Sequence, residues 1–323
     1  MNDKDRDRSG DGAGPVAHQD RHFLRRKFRS KFFLPVLIVV CPLTMYAHGD
    51  DGPRLRGLSL TLDVGVLRPD NGQANFYNGA AGNVNTLERI LHSESFGPTI
   101  WTNLTDQDLI GSAVGSYRQI TVAEYGDMYY RMAIQLGMGF RYDYEQSNWA
   151  WQARFDYAKL HATGMVLLNS GKDLSILTDR NRYVNCPAAG EEERIYVDLG
   201  LVRKFRLRNG MDMEFALGGN VNNTKVESSD INIAGVTYSI LDVWGGQSPS
   251  SYSVPYEYIN QGGIGYGGYA SLRVGYTLPA GTAIWLGYTF SYNKVKLAGY
   301  EGFAPHHAIT LHVALNNFSF FDD

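Results

Sequence analysis

The chain has 323 residues with 30 Lys+Arg against 33 Asp+Glu, 13% aromatic and 20% charged residues, and 36 Gly, 21 Tyr and two Cys. That length suits two soluble domains or one barrel-sized unit with long loops, and the composition excludes a disordered chain, a collagen, a coiled coil and a disulfide-rich mini-protein. A mean hydropathy of -0.27, with no uncharged apolar run of 18 residues, excludes a helical membrane protein but not a β-barrel, whose strands meet lipid only at alternate residues.

Residues 1–47 read as a signal peptide with a polar N-terminal extension. After the polar opening Met1–Asp20, a basic cluster (Arg25, Arg26, Lys27, Arg29, Lys31) leads into Phe32–Met45 and a plausible cleavage position near Ala47. The apolar stretch is too short to span a bilayer and is interrupted by Pro35 and Pro42. Val40 before Cys41 argues against a lipoprotein signal, and the need to cross the inner membrane unfolded points to the general secretory route rather than the twin-arginine one. Removal of this segment leaves a net charge of about -7, which argues against nucleic acid as a partner, and leaves Cys186 as an unpaired loop thiol.

Period-2 alternation then organises the mature chain. Leu58, Leu60, Leu62, Val64 and Val66 form the first apolar row. The second runs over every even position from Tyr130 to Tyr144, a register longer than an ordinary soluble strand and suited to a tilted membrane strand. Six more rows follow, beginning at Trp149, Ile195, Met211, Tyr266, Ile284 and Ile309. Short turns at Glu145–Asn148, Arg208–Gly210 and Pro279–Gly281 alternate with long loops of about 68–128, 163–193, 225–263 and 293–306. Residues 48–323 therefore read as an all-β, transmembrane, antiparallel up-and-down β-barrel of eight strands with long external loops.

The opposite rows supply a polar interior. Asp63, Arg131, Gln135, Arg141, Asp143, Arg154, Asp156, Arg194, Asp198, Asp212, Glu214 and Arg273 mix both signs, and their pattern predicts a buried network rather than a water channel. Arg203 breaks the pattern, because it falls on the lipid-facing row and requires either snorkelling at the interface or a bulge.

The signal peptide, eight alternating segments and strict alternation of short and long connections resemble the small outer-membrane barrels of the OmpA transmembrane-domain and OmpX type, within the porin superfamily. The resemblance covers roughly Leu58 to Phe321 and implies an outer-membrane location in a Gram-negative envelope. It also implies that Leu311, Val313, Leu315 and Phe318 act as the signal read by the barrel-assembly machinery.

Surface chemistry is sparse. His161-x-Thr163 is the nearest match to the His/Ser pair of a lipid A-modifying barrel hydrolase, but no carboxylate is evident beside it, so it reads as a rim histidine. His92-Ser93-Glu94 reads as loop surface, and His306, His307 and His312 read as structural rather than metal-binding. No cofactor site or catalytic group is expected.

The first long loop holds Asn75-Phe76-Tyr77-Asn78-Gly79 and a helical stretch expected around Thr105–Gly115 with Asp106 near its start. Its length suggests either a cap over the barrel mouth, with a possible envelope protein partner, or a surface loop. In the third loop, Ile231–Ile233 and Val236–Ile240 suggest an extra hairpin, which would make ten strands. The expected function is a non-enzymatic barrel with a plugged interior, embedded in outer-membrane lipid and acting in envelope structure or surface binding. The alternatives are an accessory subunit of a secretion or uptake complex, a lipid A hydrolase or a narrow channel.

Overall fold

The computed structural model describes residues 57–80, 86–111, 114–144, 147–171, 183–207, 210–241, 261–278 and 282–315. The expected signal peptide, Phe318 and the tips of the short turns lie outside the described residues. Among the described residues no helix is long and apolar enough to cross a membrane.

Eight strands close into a ring: β1 (Gly57–Arg68), β4 (Ala133–Asp143), β5 (Trp149–Asn169), β6 (Tyr183–Arg206), β7 (Met211–Ile233), β9 (Gly263–Thr277), β10 (Thr282–Val295) and β11 (Gly302–Leu315). Each pairs antiparallel with its neighbour in that order. β1 pairs with β11 and β5 with β6, so no edge is left in the ring. Three short strands lie off it. β2 (Thr121–Tyr125) and β3 (Tyr129–Tyr130) pair with the far half of β5, and β8 (Val236–Ser239) pairs with β7. The extra hairpin in the third loop thus forms, but it adds nothing to the ring.

Alternation in sequence becomes alternation in space. Ile134, on the outward row of β4, is 70% exposed, whereas Arg141 on the inward row is fully buried. A one-residue slip would turn such charges outward, at about 2–4 kcal/mol per Arg near a bilayer midplane, so the charges themselves hold the register.

One element departs from expectation. Tyr130 stands opposite Ala162 and Gln135 opposite Ala158, so five steps on one side match four on the other. This single-residue bulge falls at Arg131–Met132, where both side chains are exposed and the Arg131 amide donates to the His161 carbonyl at 2.9 Å. Arg131, expected inside, therefore lies outside, and the Tyr130 ring, expected on the lipid row, turns inward.

The three short connections share one end of the ring, closed by Tyr144 N–H to Trp149 O, Leu207 N–H to Met211 O and Leu278 N–H to Thr282 O at 3.2, 2.8 and 2.7 Å. The long connections share the other, which is the external end in barrels of this kind. Much of what reads as loop is strand, because β5, β6 and β7 run for 21, 24 and 23 residues where about 9–11 suffice to span a bilayer. Cys186, expected in a loop, is accordingly a buried residue of β6.

Above the membrane the inward faces of these extensions carry apolar residues: Val166, Leu168, Val184, Cys186, Val226, Ile231 and Ile233 are buried. The first long loop packs on them through α1 (Asn71–Ala74), a 3-10 turn (Asn75–Asn78), α2 (Leu87–Leu91) and α3 (Gly97–Asp106). Leu87, Leu91, Ile100 and Leu104 are fully buried in the same cluster. The main hydrophobic core therefore lies above the spanning part of the barrel, between the helices and the strand extensions. The helix expected at Thr105–Gly115 sits upstream, with Pro98 in its first turn and Asp106 at its end; Asp108, at φ 54, is already in the left-handed region.

Candidate functional site

The interior is best followed from the short-turn end upward. At the bottom, Arg141 donates to Asp143 through Nε (2.9 Å) and Nη2 (3.0 Å), and to Glu214 through Nη1 (2.8 Å) and Nη2 (2.6 Å). Lys204 reaches Asp143 at 2.6 Å. Arg141 also lies 5.0 Å from the ring centroid of the fully buried Trp285. Both carboxylates are thus held bidentately by one guanidinium, the geometry that best offsets desolvation.

In the middle, Arg154 forms ion pairs with Asp156 at 2.7 Å and Asp198 at 2.6 Å, while His312 bonds Asp63 through Nδ1. Arg273 Nη1 donates to Gln152 (2.9 Å), whose amide donates to the Tyr269 hydroxyl (2.8 Å). At the top, Glu192 takes Arg194 on Oε1 and the Tyr77 hydroxyl on Oε2, and Arg194 Nη2 donates to Tyr130 at 3.2 Å. Tyr77 belongs to the 3-10 turn of the first loop, so this contact ties the cap to the barrel wall. Burial, followed by the Glu192 carboxylate beside it, holds the Tyr77 phenol well above its ordinary range.

Of the expected interior residues, Asp63, Gln135, Arg141, Asp143, Arg154, Asp156, Arg194, Asp198, Glu214 and Arg273 are buried on inward rows. Asp212 is half-buried at the short-turn end, where it accepts from Thr277 at 2.8 Å. Arg131 is outside, as described above. Glu192, Lys204, Gln152 and Tyr77 were missed. Glu192 and Lys204 share the even positions of Arg194 and Asp198, so extending that row at both ends would have found them; Gln152 already alternates with Trp149 and Trp151 on the inward row but was not counted with the network, and Tyr77, within the Asn75–Gly79 stretch, carries no periodic signal of its direction.

The rim histidine has a neighbour that the linear sequence hides. Glu191, opposite His161 in the β5–β6 pairing, stands 3.1 Å from its Nδ1 and 2.9 Å from Lys159. The carboxylate expected to be missing is therefore present. Among the described residues, however, no hydrogen bond joins the Thr163 hydroxyl to His161, and Glu191 is shared with a lysine. His92 bonds the Ile120 carbonyl at 2.9 Å, the Ser93 hydroxyl accepts from its own turn, and Glu94 faces Arg118 at 3.8 Å, so that trio disperses. The three late histidines also separate: His306 and His312 are buried inside, and His307 bonds Tyr288 on the outer face at 2.7 Å. Leu311, Val313 and Leu315 lie on the outward row of β11.

Arg203 resolves without a bulge. It pairs regularly with Trp149 and Phe215, and its guanidinium lies 4.9 Å from the Trp149 ring centroid at the short-turn rim. Along β5 the outward row starts at Trp149 and Trp151, reaches Tyr157 and then becomes polar at Lys159 and His161. That interval matches the ~9–11 residues of a tilted membrane strand with aromatic ends. A closed ring with an apolar belt outside, charges inside, and short and long connections at opposite ends is a small outer-membrane β-barrel.

No protein-family model matches the chain, and no curated protein matches it. Among solved structures it is similar to Neisserial surface protein A, with TM-score 0.38 and 6% identity over 82% of this chain and 100% of that one. It is also similar to OprG from Pseudomonas aeruginosa, at TM-score 0.33 and 9% identity over 81% and 93% of the two chains. Ail, the attachment invasion locus protein of Yersinia pestis, follows at TM-score 0.30 and 10% identity over 80% and 98%.

Proposed function

We propose that this chain is a non-enzymatic outer-membrane barrel whose lumen is plugged by its own ion pairs and whose capped external end serves envelope structure or surface binding. The observation that carries this reading is the succession of buried charge clusters that fill the lumen: Arg141 and Asp143 of β4 meet Glu214 of β7 across it, Arg154 and Asp156 of β5 meet Asp198 of the neighbouring β6, and Glu192 pairs with Arg194 within β6. A file of water or ions would have to displace bonds of 2.6–2.9 Å between fully desolvated charges. Such a lumen serves rigidity, and the residues free to meet a partner are those of the cap and the strand extensions.

Single-channel recording of the full chain, purified from outer membranes and placed in planar bilayers, tests the plug. A silent bilayer is expected, and stable unitary conductance overturns the reading. For the external end, protease added to intact cells should cut within the first long loop and leave the strands protected.

A further inference from the structure

Directly beneath the cap, one group of buried side chains is left over by the network described above. Arg194 on β6 and His306 on β11 face one another across the lumen, since three ring strands separate them in either direction. The Arg194 guanidinium uses Nε and Nη2 on Glu192 and Tyr130, and its Nη1 has no hydrogen-bond partner among the described residues. The Tyr196 hydroxyl lies against the same guanidinium as a poorly aligned partner, so Nη1 is under-satisfied rather than isolated. His306 is 1% exposed, lies within electrostatic reach of Arg194, and has no partner on either ring nitrogen. The Thr224 hydroxyl, on the residue opposite Arg194 in β7, is buried and equally unmatched.

Buried polar groups are almost always satisfied, so several orphans in one tier mark a missing partner. Its chemistry follows from what is left. Glu192 has committed one oxygen to Arg194 and the other to Tyr77, so the tier has spent its carboxylate and is left with a guanidinium edge, an imidazole N–H and a hydroxyl as donors beside one unmatched neutral acceptor, the Gln135 amide oxygen. A guanidinium edge beside neutral donors is complementary to a small oxyanion. Small inward residues, Ala133, Ala158, Ala304 and Ala308, line the surrounding wall. Below lie the Arg154–Asp198 pair and above lies Tyr77.

We infer that Arg194, His306 and Thr224 form a site for one small oxyanion, a carboxylate or phosphate group, sealed from the external side by the Tyr77–Glu192 contact. The ligand enters from outside when the cap lifts, because the ion pairs beneath block the other approach.

The test uses the full chain purified in detergent and dialysed free of oxyanions. Thermal unfolding is followed with inorganic phosphate, with acetate, and with chloride at matched ionic strength. Phosphate or acetate should raise the midpoint saturably by a few degrees, about 2–4 °C at a concentration of several Kd, and the one that does so identifies the group. His306→Ala and Thr224→Val should each weaken that effect at least about tenfold, as expected for loss of one charge-assisted or buried hydrogen bond. Equal midpoints in all three salts mean that the orphans are met by water alone and overturn the site. A shift that survives intact in both His306→Ala and Thr224→Val overturns it as well; native heat-modifiable migration on gels establishes which variants have folded, and Thr224→Val, which conserves volume, serves if His306→Ala does not.

Discussion

Arg203 lies on the lipid-facing side of β6 with its guanidinium 4.9 Å from the centroid of the Trp149 ring and 5.9 Å from that of Phe205. A cation on the apolar row is thereby placed at the water boundary, where the aromatic faces replace part of its hydration. A double-mutant cycle of Arg203→Gln and Trp149→Leu should give a coupling energy of about 0.5–1 kcal/mol, measured by reversible urea unfolding in lipid vesicles. Zero coupling would mean that the two side chains are neighbours without interaction.

The Arg141 cluster makes the opposite kind of prediction. Arg141→Met leaves Asp143 and Glu214 facing each other without their shared guanidinium and should cost about 3–5 kcal/mol. The triple variant Arg141→Met, Asp143→Leu, Glu214→Leu should recover most of that loss, because the penalty arises from unpaired charge rather than from loss of the pairs as such. Guanidinium titration of the three proteins measures both steps, and equal stability of single and triple variants would contradict the argument.

Cap docking depends on Tyr77. Tyr77→Phe removes the hydroxyl from Glu192 and leaves one carboxylate oxygen buried without a donor, at about 1–3 kcal/mol. Proteolysis of the first loop under native conditions should accelerate by about tenfold or more if cleavage follows cap opening. An unchanged cleavage rate would show that the apolar contacts hold the cap alone.

The same contact sets a pH dependence. The phenol of docked Tyr77 is held well above its ordinary value of about 10, so the docked state keeps its proton where the undocked state loses it. Docking is therefore fully present below about pH 10 and weakens as pH rises beyond it. Loop proteolysis or hydrogen exchange should increase in that alkaline range for the wild type, and Tyr77→Phe should remove this part of the pH response.

Gly190 offers a steric check that leaves the charges alone. A Cβ there would overlap Cδ1 of the Tyr77 ring, so Gly190→Ala must displace the ring or the strand. The cap should loosen to at least the extent seen for Tyr77→Phe, while the ring of strands still forms; wild-type protection of the loop in Gly190→Ala would show that Tyr77 does not sit as described.

The number of spanning strands, their order and the inward or outward assignment of most of their residues were legible in the sequence alone. Side-chain direction in a strand repeats every two residues, so rows such as Leu58–Val66 and Ile309–Leu315 carry their orientation locally. The short turns were legible for the same reason, because they fall where the alternation stops. What the tertiary structure decided is everything that depends on partners remote along the chain. The bulge at Arg131 is set by pairing with β5, and it reverses the direction of Tyr130 although the sequence row runs on unbroken. Glu191 meets His161, Glu192 meets Tyr77 and Asp63 meets His312 across separations of up to 249 residues, which no local periodicity encodes. The cap, too, is a tertiary outcome: its helices are short, and they hold their place because the apolar inner faces of β5, β6 and β7 above the bilayer require cover from water.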